Sequence, residues 1–356
     1  MKRSRLFVGG LILLSLAGYG LLALAFPLLA HYDDAPPPDV RTFTPSLAAG
    51  LAYAALFGGL YGLYWLAYRQ VASGKWQVAQ AAGLRVAGDN QNPKSKIQNQ
   101  ASGRWQVASI LIVTAVFGLP LLFTFPFNST DLYRYFIRGR ITSVYHESPY
   151  QVAAVTLADD PYAPLAGEWA DETSPYGPLW EMTAASVTVL AGQNLLLALL
   201  TFKGLGLMGH LTLSAFIWLH LKGQEPAVRV GRTLLWAWNP ALLLTFVANG
   251  HNDWLMLVWL LGGAWLMGQD GWRRPAAGFA LMCLGALSKL IGLLALPLFF
   301  LATWRRLTPG PDRLRFSLVA PAASLLLSGL VFLPFGSPLD LLVRLVREAS
   351  AGGGYS

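Results

Sequence analysis

Nine apolar runs recur along the chain, near residues 6–30, 46–68, 106–126, 194–221, 233–250, 254–268, 276–288, 290–304 and 314–334. A span needs about 20 apolar residues. A backbone crossing hydrocarbon must satisfy its own polar groups, which leaves helices or closed barrels. Runs of this length predict an all-α, polytopic membrane helix bundle of about nine spans, folded as a single membrane domain over residues 1–356. Only 12% of residues are charged, against roughly 25% in soluble domains. The first run follows Lys2, Arg3 and Arg5 and is too long for a signal-peptide core, so it is read as a span with its N-terminus in the cytoplasm.

Lysine and arginine set the orientation. They fall in short segments holding Arg69 to Arg104, Lys222 to Arg232, Arg273 with Arg274, and Arg305 to Arg315, all assigned to the inside. The net charge of +8 is therefore topological, and no basic face with base-stacking aromatics points to nucleic acid. Keeping these groups inside makes 179–192 an interfacial or re-entrant helix and splits 276–304 at Ser288-Lys289. The segment 69–105 repeats KWQVA as RWQVA around polar filler and is expected to be a disordered cytoplasmic insertion. The lone cysteine, Cys283, excludes an internal disulfide. The chain ends in REASAGGGYS on the side placed outside, as expected of a ragged end or of a piece of a longer protein.

Chemistry concentrates on that outer side, in a large loop over residues 127–193 and in two turns. The string FNSTDLYRYFIRGR places Asp131 at the mouth of a span. An acid there is a functional candidate, and it is also a residue suited to the first turn of a helix capped by Ser129 or Thr130. Arg134 and Arg138, spaced i and i+4, share a face fit for a phosphate or for lipid headgroups. Tyr133, Tyr135 and Arg140 are their neighbours. In ANGHNDWLM, His251, Asn252 and Asp253 either form a plain turn or bond a sugar. A metal would need more ligands than this turn supplies, and no cofactor is assigned. Lys289 either snorkels to the headgroups or meets an anion. In SPYGPLW, Pro175, Gly177 and Pro178 set a turn and start a helix, with Tyr176 and Trp180 suited to an interface.

Taken in order, these strings resemble the GT-C superfamily of membrane glycosyltransferases. Within it they are similar to the bacterial polyprenyl-phosphate-mannose-dependent α-mannosyltransferases. The resemblance rests on Asp131, Tyr133, Tyr135 and Gly139, then Pro149-Tyr150, Ser174 to Pro178, Asn239-Pro240 with Gly250 to Asp253, and Ala286, Lys289 and Pro297. It implies a GT-C bundle in a bacterial plasma membrane with an extracytoplasmic active site. It implies a polyprenyl-phosphate sugar donor, a glycan or glycolipid acceptor among membrane lipids, and inversion at the anomeric carbon. Asp131 takes the place of the family's catalytic acid, as general base. Tyr133, Arg134, Arg138, Tyr176, His251, Asn252, Asp253 and Lys289 are the expected substrate-binding residues. Two other classes stay open: a transporter or flippase of lipid-linked sugars, for which no repeated halves are seen, and a non-catalytic subunit of a glycan assembly complex.

Overall fold

Apolar runs without a period-two pattern should fold as helices. In a computed structural model that describes residues 2–72 and 93–350, they do. Among the described residues the one extended pairing is an isolated antiparallel bridge between Pro27 and Thr124. Among the described residues the α-helices longer than four residues are α1 (Lys2–Ala25), α2 (Leu47–Ala72), α3 (Pro93–Leu122), α4 (Asp131–Ser143), α5 (Pro178–Ala191), α6 (Leu195–His220), α7 (Pro226–Ala237), α8 (Asp253–Met267), α9 (Arg273–Ser288), α10 (Ala295–Arg306), α11 (Pro311–Phe332) and α12 (Pro338–Ser350). Among the described residues five stretches are long and apolar enough to cross a bilayer: Leu6–Ala25, Leu47–Val71, Trp105–Leu122, Leu195–His220 and Pro311–Phe335. They lie in α1, α2, α3, α6 and α11, the last running on into the 3₁₀ turn Leu333–Phe335.

The four other runs form shorter elements, for local reasons. The segment 233–250 is cut at Asn239-Pro240. Proline cannot donate within a helix, and Asn239 caps the restart by accepting from the Ala241 amide at 3.0 Å. A π-helical turn, Leu244–Ala248, follows. The run 290–304 opens as a 3₁₀ turn, Leu290–Leu294, before α10. The segments 69–72 and 93–105, inside the stretch expected to be disordered, are helical as parts of α2 and α3; residues 73–92 lie outside the described residues.

The chain divides into two compact units. The first comprises Met1–His31, Asp39–Asn128 and Lys203–Gly250. In it α1 packs on α2 and α3, and α7 packs on α2 and α3. Aromatic contacts fill the seams: Phe26 stacks on Phe127 at 4.1 Å, and Tyr19 meets Phe117 at 5.3 Å. Lys203, fully buried on α6, donates to the Thr124 carbonyl at 2.7 Å and to the carbonyl of Ala248. Asn249 accepts from the Asn128 amide at 3.1 Å and donates to the Leu244 carbonyl at 3.1 Å. These bonds tie the chain leaving α3 to the chain leaving the π-turn, just ahead of Asp131 and His251 in sequence.

The second unit comprises Tyr32–Pro38, Ser129–Phe202 and His251–Ser356. Here α4 packs closely on α5, because a Cβ on Gly139 would meet Thr188 Oγ1 and the Ala184 carbonyl. Helices α8 and α9 approach through Gly263 and Gly278. A core of Met267, Phe279, Met282, Leu307, Phe316 and Ala320 joins α9 to α10 and α11. The Ser174–Pro178 turn is pinned to the end of α9. Gly177 N–H donates to the Ser288 carbonyl at 3.2 Å, and a side chain at Gly177 would run into the Leu287 carbonyl.

Candidate active site

Helix α4 begins at Asp131, with the Asp131 amide donating to Ser129 Oγ at 3.2 Å. Its carboxylate is buried, 11% exposed, and three groups converge on it. Arg134, one turn along, pairs with Oδ1. His251 Nδ1 lies 3.2 Å from Oδ2. The Tyr135 hydroxyl, at i+4, makes a long 3.4 Å bond to Oδ2. Beside this group Lys289 pairs with Asp253 at 2.6 Å, both side chains one-third exposed. Helix geometry accounts for the set. Residues 131, 134, 135 and 138 lie within one face of α4, and His251 and Asp253 sit at the start of α8.

Burial acts on each charge. It lowers the His251 pKa below the ordinary histidine range. The Asp253 carboxylate opposes that shift, while Lys289 and Arg134 add to it. A neutral imidazole facing a carboxylate donates through Nδ1–H, leaving Nε2 as an acceptor. Burial likewise lowers the Arg134 pKa and holds the Tyr135 hydroxyl well above its usual value. The amide of Asn252 is buried, and neither Oδ1 nor Nδ2 has a protein partner. A buried amide of this kind is a ready partner for ligand hydroxyls.

The Ser174–Pro178 turn closes one side. Tyr150 OH donates to the Tyr176 carbonyl at 3.0 Å, Ser174 N–H donates to the Pro149 carbonyl at 2.7 Å, and Ser174 Oγ donates to Glu181. Two motifs far apart in sequence thus brace each other. The Tyr176 ring stands edge-on to Tyr135 at 5.4 Å, and the Arg138 guanidinium lies 5.6 Å from it. Arg134 covers Trp169 at 4.9 Å. Arg138 donates to the Thr173 carbonyl at 3.4 Å, and its Nη1 is buried without a partner. The gap among Arg134, Arg138, Trp169 and Glu172 holds about 10 Å³, room for one water.

Of the expected residues, Arg134, Arg138, Tyr176, His251, Asn252, Asp253 and Lys289 are set around or beside Asp131. Tyr133 is not. Two residues along an α-helix turn a side chain by about 200°, so Tyr133 is buried on the opposite face of α4. There the Asp34 and Asp33 carboxylates add to burial in raising its hydroxyl pKa. Tyr135 takes the place expected of it, and the i,i+4 spacing from Asp131 was the available signal. Trp169 escaped the sequence reading, since only the folded loop brings it near the arginines, and Glu181, which the sequence leaves as either a substrate-facing group or an exposed loop acid, is buried. Among the described residues no group of three or more His, Cys, Asp or Glu side chains is arranged to hold a metal.

The family model described as alpha-(1->6)-mannopyranosyltransferase, N-terminal domain, matches residues 42–305, well over half of the chain and including every residue of this cluster. The chain belongs to that family. Individual members are more distant. The alpha-(1->6)-mannopyranosyltransferase A of Corynebacterium glutamicum is 27% identical over 186 residues, covering 50% of this chain and 36% of that protein. The protein of the same name from Mycobacterium tuberculosis is 30% identical over 199 residues, covering 54% and 36%. A probable alpha-(1->6)-mannopyranosyltransferase of Mycolicibacterium smegmatis is 28% identical over 218 residues, covering 52% and 38%. The chain spans little more than a third of the length of these mannopyranosyltransferases. No solved structure matches it.

Proposed function

We propose that this chain transfers mannose from a polyprenyl-phosphate donor to a glycan or glycolipid acceptor at the extracytoplasmic face, with inversion and with Asp131 as the base. The observation that carries the proposal is the buried Asp131 carboxylate held between Arg134 and His251. The relatives' names supply the sugar.

The chemistry suits this arrangement. The acceptor oxygen attacks the anomeric carbon, and the bond from that carbon to the phosphate oxygen breaks. Polyprenyl phosphate leaves with the electron pair, and the acceptor proton passes to Asp131. A phosphate needs no protonation to depart, so the site must supply a base and cations. Lys289, Arg134 and Arg138 supply the cations. Arg134 also gives the site an order of events. While it pairs with Asp131 it occupies Oδ1. A donor phosphate that recruits Arg134 frees Oδ1 to act as base. Asn252 and Asp253 hold sugar hydroxyls.

The test is Asp131→Asn in purified protein, reconstituted with polyprenyl-phosphate mannose and an acceptor. Transfer should fall by about 10² to 10⁴ with membrane insertion and melting temperature unchanged. Retained transfer would remove Asp131 from the base role. Movement of the donor across a vesicle membrane without a new glycosidic bond would favour a transporter instead.

A further inference from the structure

On the other side of α4 lies a second, larger opening. Residues 133, 136 and 140 project about 180° from the Asp131 face. Beyond them is an open cleft of about 530 Å³ lined by Tyr32, Asp33, Tyr162, Gln193, Asn194 and Leu195. That volume falls in the range of small-molecule sites. Its lining is unlike the Asp131 site, with two tyrosines, two primary amides, one carboxylate and no cation.

The wall is built on a buried ion pair. Arg140 Nε donates to Asp160 Oδ2 at 2.8 Å, with both side chains almost fully buried. Arg140 also donates to Gln193 Oε1 at 3.1 Å and covers the Tyr162 ring at 4.9 Å. Asp160 accepts from the Tyr162 amide at 2.8 Å and from the Tyr145 hydroxyl at 2.9 Å. Tyr162 OH donates to the Gln193 carbonyl at 2.6 Å. Such a pair contributes little net stability but fixes geometry where every donor is used. Here it holds Tyr162 and Gln193 in place, and the amide nitrogen of Gln193 remains to face a ligand.

We infer that this cleft is a subsite for the outlying sugars of an oligosaccharide, with Tyr32 and Tyr162 offering ring faces and Asp33, Gln193 and Asn194 bonding hydroxyls. A neutral polyol matches the lining. An anionic ligand would meet Asp33 with no lining cation to offset it, since Arg140 is spent on Asp160, and a lipid chain would have to cover a carboxylate and two primary amides without bonding them. Because the width of α4 separates the cleft from Asp131, the sugars it takes are not the one that reacts. The inference rests on the transferase reading only for its place in the reaction; oligosaccharide binding stands without it.

The experiment measures linear α-mannotetraose binding to the purified chain in nanodiscs by saturation-transfer NMR, alongside transfer to acceptors of one and four sugars. Asp33 is exposed and, among the described residues, makes no hydrogen bond or ion pair, so Asp33→Ala should leave folding intact. It should weaken mannotetraose binding and raise the tetrasaccharide KM, each about tenfold, with the monosaccharide KM unchanged. Tyr162→Ala should act likewise, and Tyr162→Phe, which keeps the ring, should retain binding. Equal binding by wild type, Asp33→Ala and Tyr162→Ala overturns the subsite, as does an equal rise in KM for both acceptors. If wild type transfers to neither acceptor, the transferase reading fails. Asp33-dependent mannotetraose binding then still supports the subsite, and absent binding overturns it.

Discussion

His251 shows how much a single neighbour decides at the residue scale. As a neutral donor to Asp131 it orients the carboxylate; as a cation it would cost that carboxylate its basicity. Burial lowers its pKa, against the pull of Asp253 and with Lys289 and Arg134 acting in the same sense. The sign is set by which state protonates first. An unfolded histidine binds its proton near pH 6.5, and the native one only at lower pH. Acidification through that window therefore favours the unfolded state, and further acidification charges His251 beside Asp131. Transfer should be flat around neutral pH and should fall with an acid limb below about 6.5. His251→Gln should lower transfer roughly tenfold to a hundredfold, the worth of one charge-assisted hydrogen bond, and should remove the limb. A limb that persists in His251→Gln would assign it to another group. Asp131 and His251 are both visible in the sequence, as polar residues breaking apolar runs. That they touch is not, because their pairing is long-range. Lys203 is the opposite case. A lysine inside an apolar run is a plain sequence signal, but its work of binding two backbone carbonyls can be read only from Thr124 and Ala248 in space.

At the scale of the element, α4 carries Asp131 on one face and, on the other, the Arg140 that braces the second cleft, and its position depends on one small residue. Gly139 lets α4 approach α5 where any side chain would strike Thr188 and the Ala184 carbonyl. Gly139→Ala should destabilise the protein by about 1–3 kcal/mol, as overpacking does, and Gly139→Leu by more. A thermal-shift series in detergent checks this, and transfer should fall along with stability because Asp131 rides on the same helix. An unchanged melting temperature in Gly139→Ala would mean that the two helices pack elsewhere. The helix start at Asp131 was readable from the run of Ser, Thr and Asp. The face that Tyr133 takes was not, because an amphipathic aromatic suits either side and packing alone chooses. The break at Asn239-Pro240 was present in the sequence as a cap followed by proline, but the surrounding apolar residues carried the reading across it.

For the whole molecule, the side of the membrane that holds Asp131 follows from the length and the charge of the helices. The fifteen residues of α8 rise about 22 Å, short of a hydrocarbon core of about 30 Å. Length therefore singles out five candidate spans, and charge has to orient them. Several of the arginines assigned to the inside have an aromatic or carbonyl partner near a helix end. Arg229 lies 3.8 Å from the Trp218 ring, Arg313 lies 4.5 Å from Trp304, and Arg306 donates to the Gly268 carbonyl at 2.8 Å. Arginine with tryptophan at helix ends is the composition of a headgroup belt. The segment from Asp159 to Glu172 holds five acids and no arginine or lysine. If the segments assigned to the inside face the cytoplasm, cysteines placed at Asp33 and Glu168 should react with an impermeant maleimide on intact cells, and cysteines at Lys222 and Arg274 only after permeabilisation. The native Cys283 is buried and can be replaced by alanine to clear the background. The reverse pattern would put Asp131 in the cytoplasm. A donor whose phosphate and sugar are presented at the outer leaflet could not then reach it.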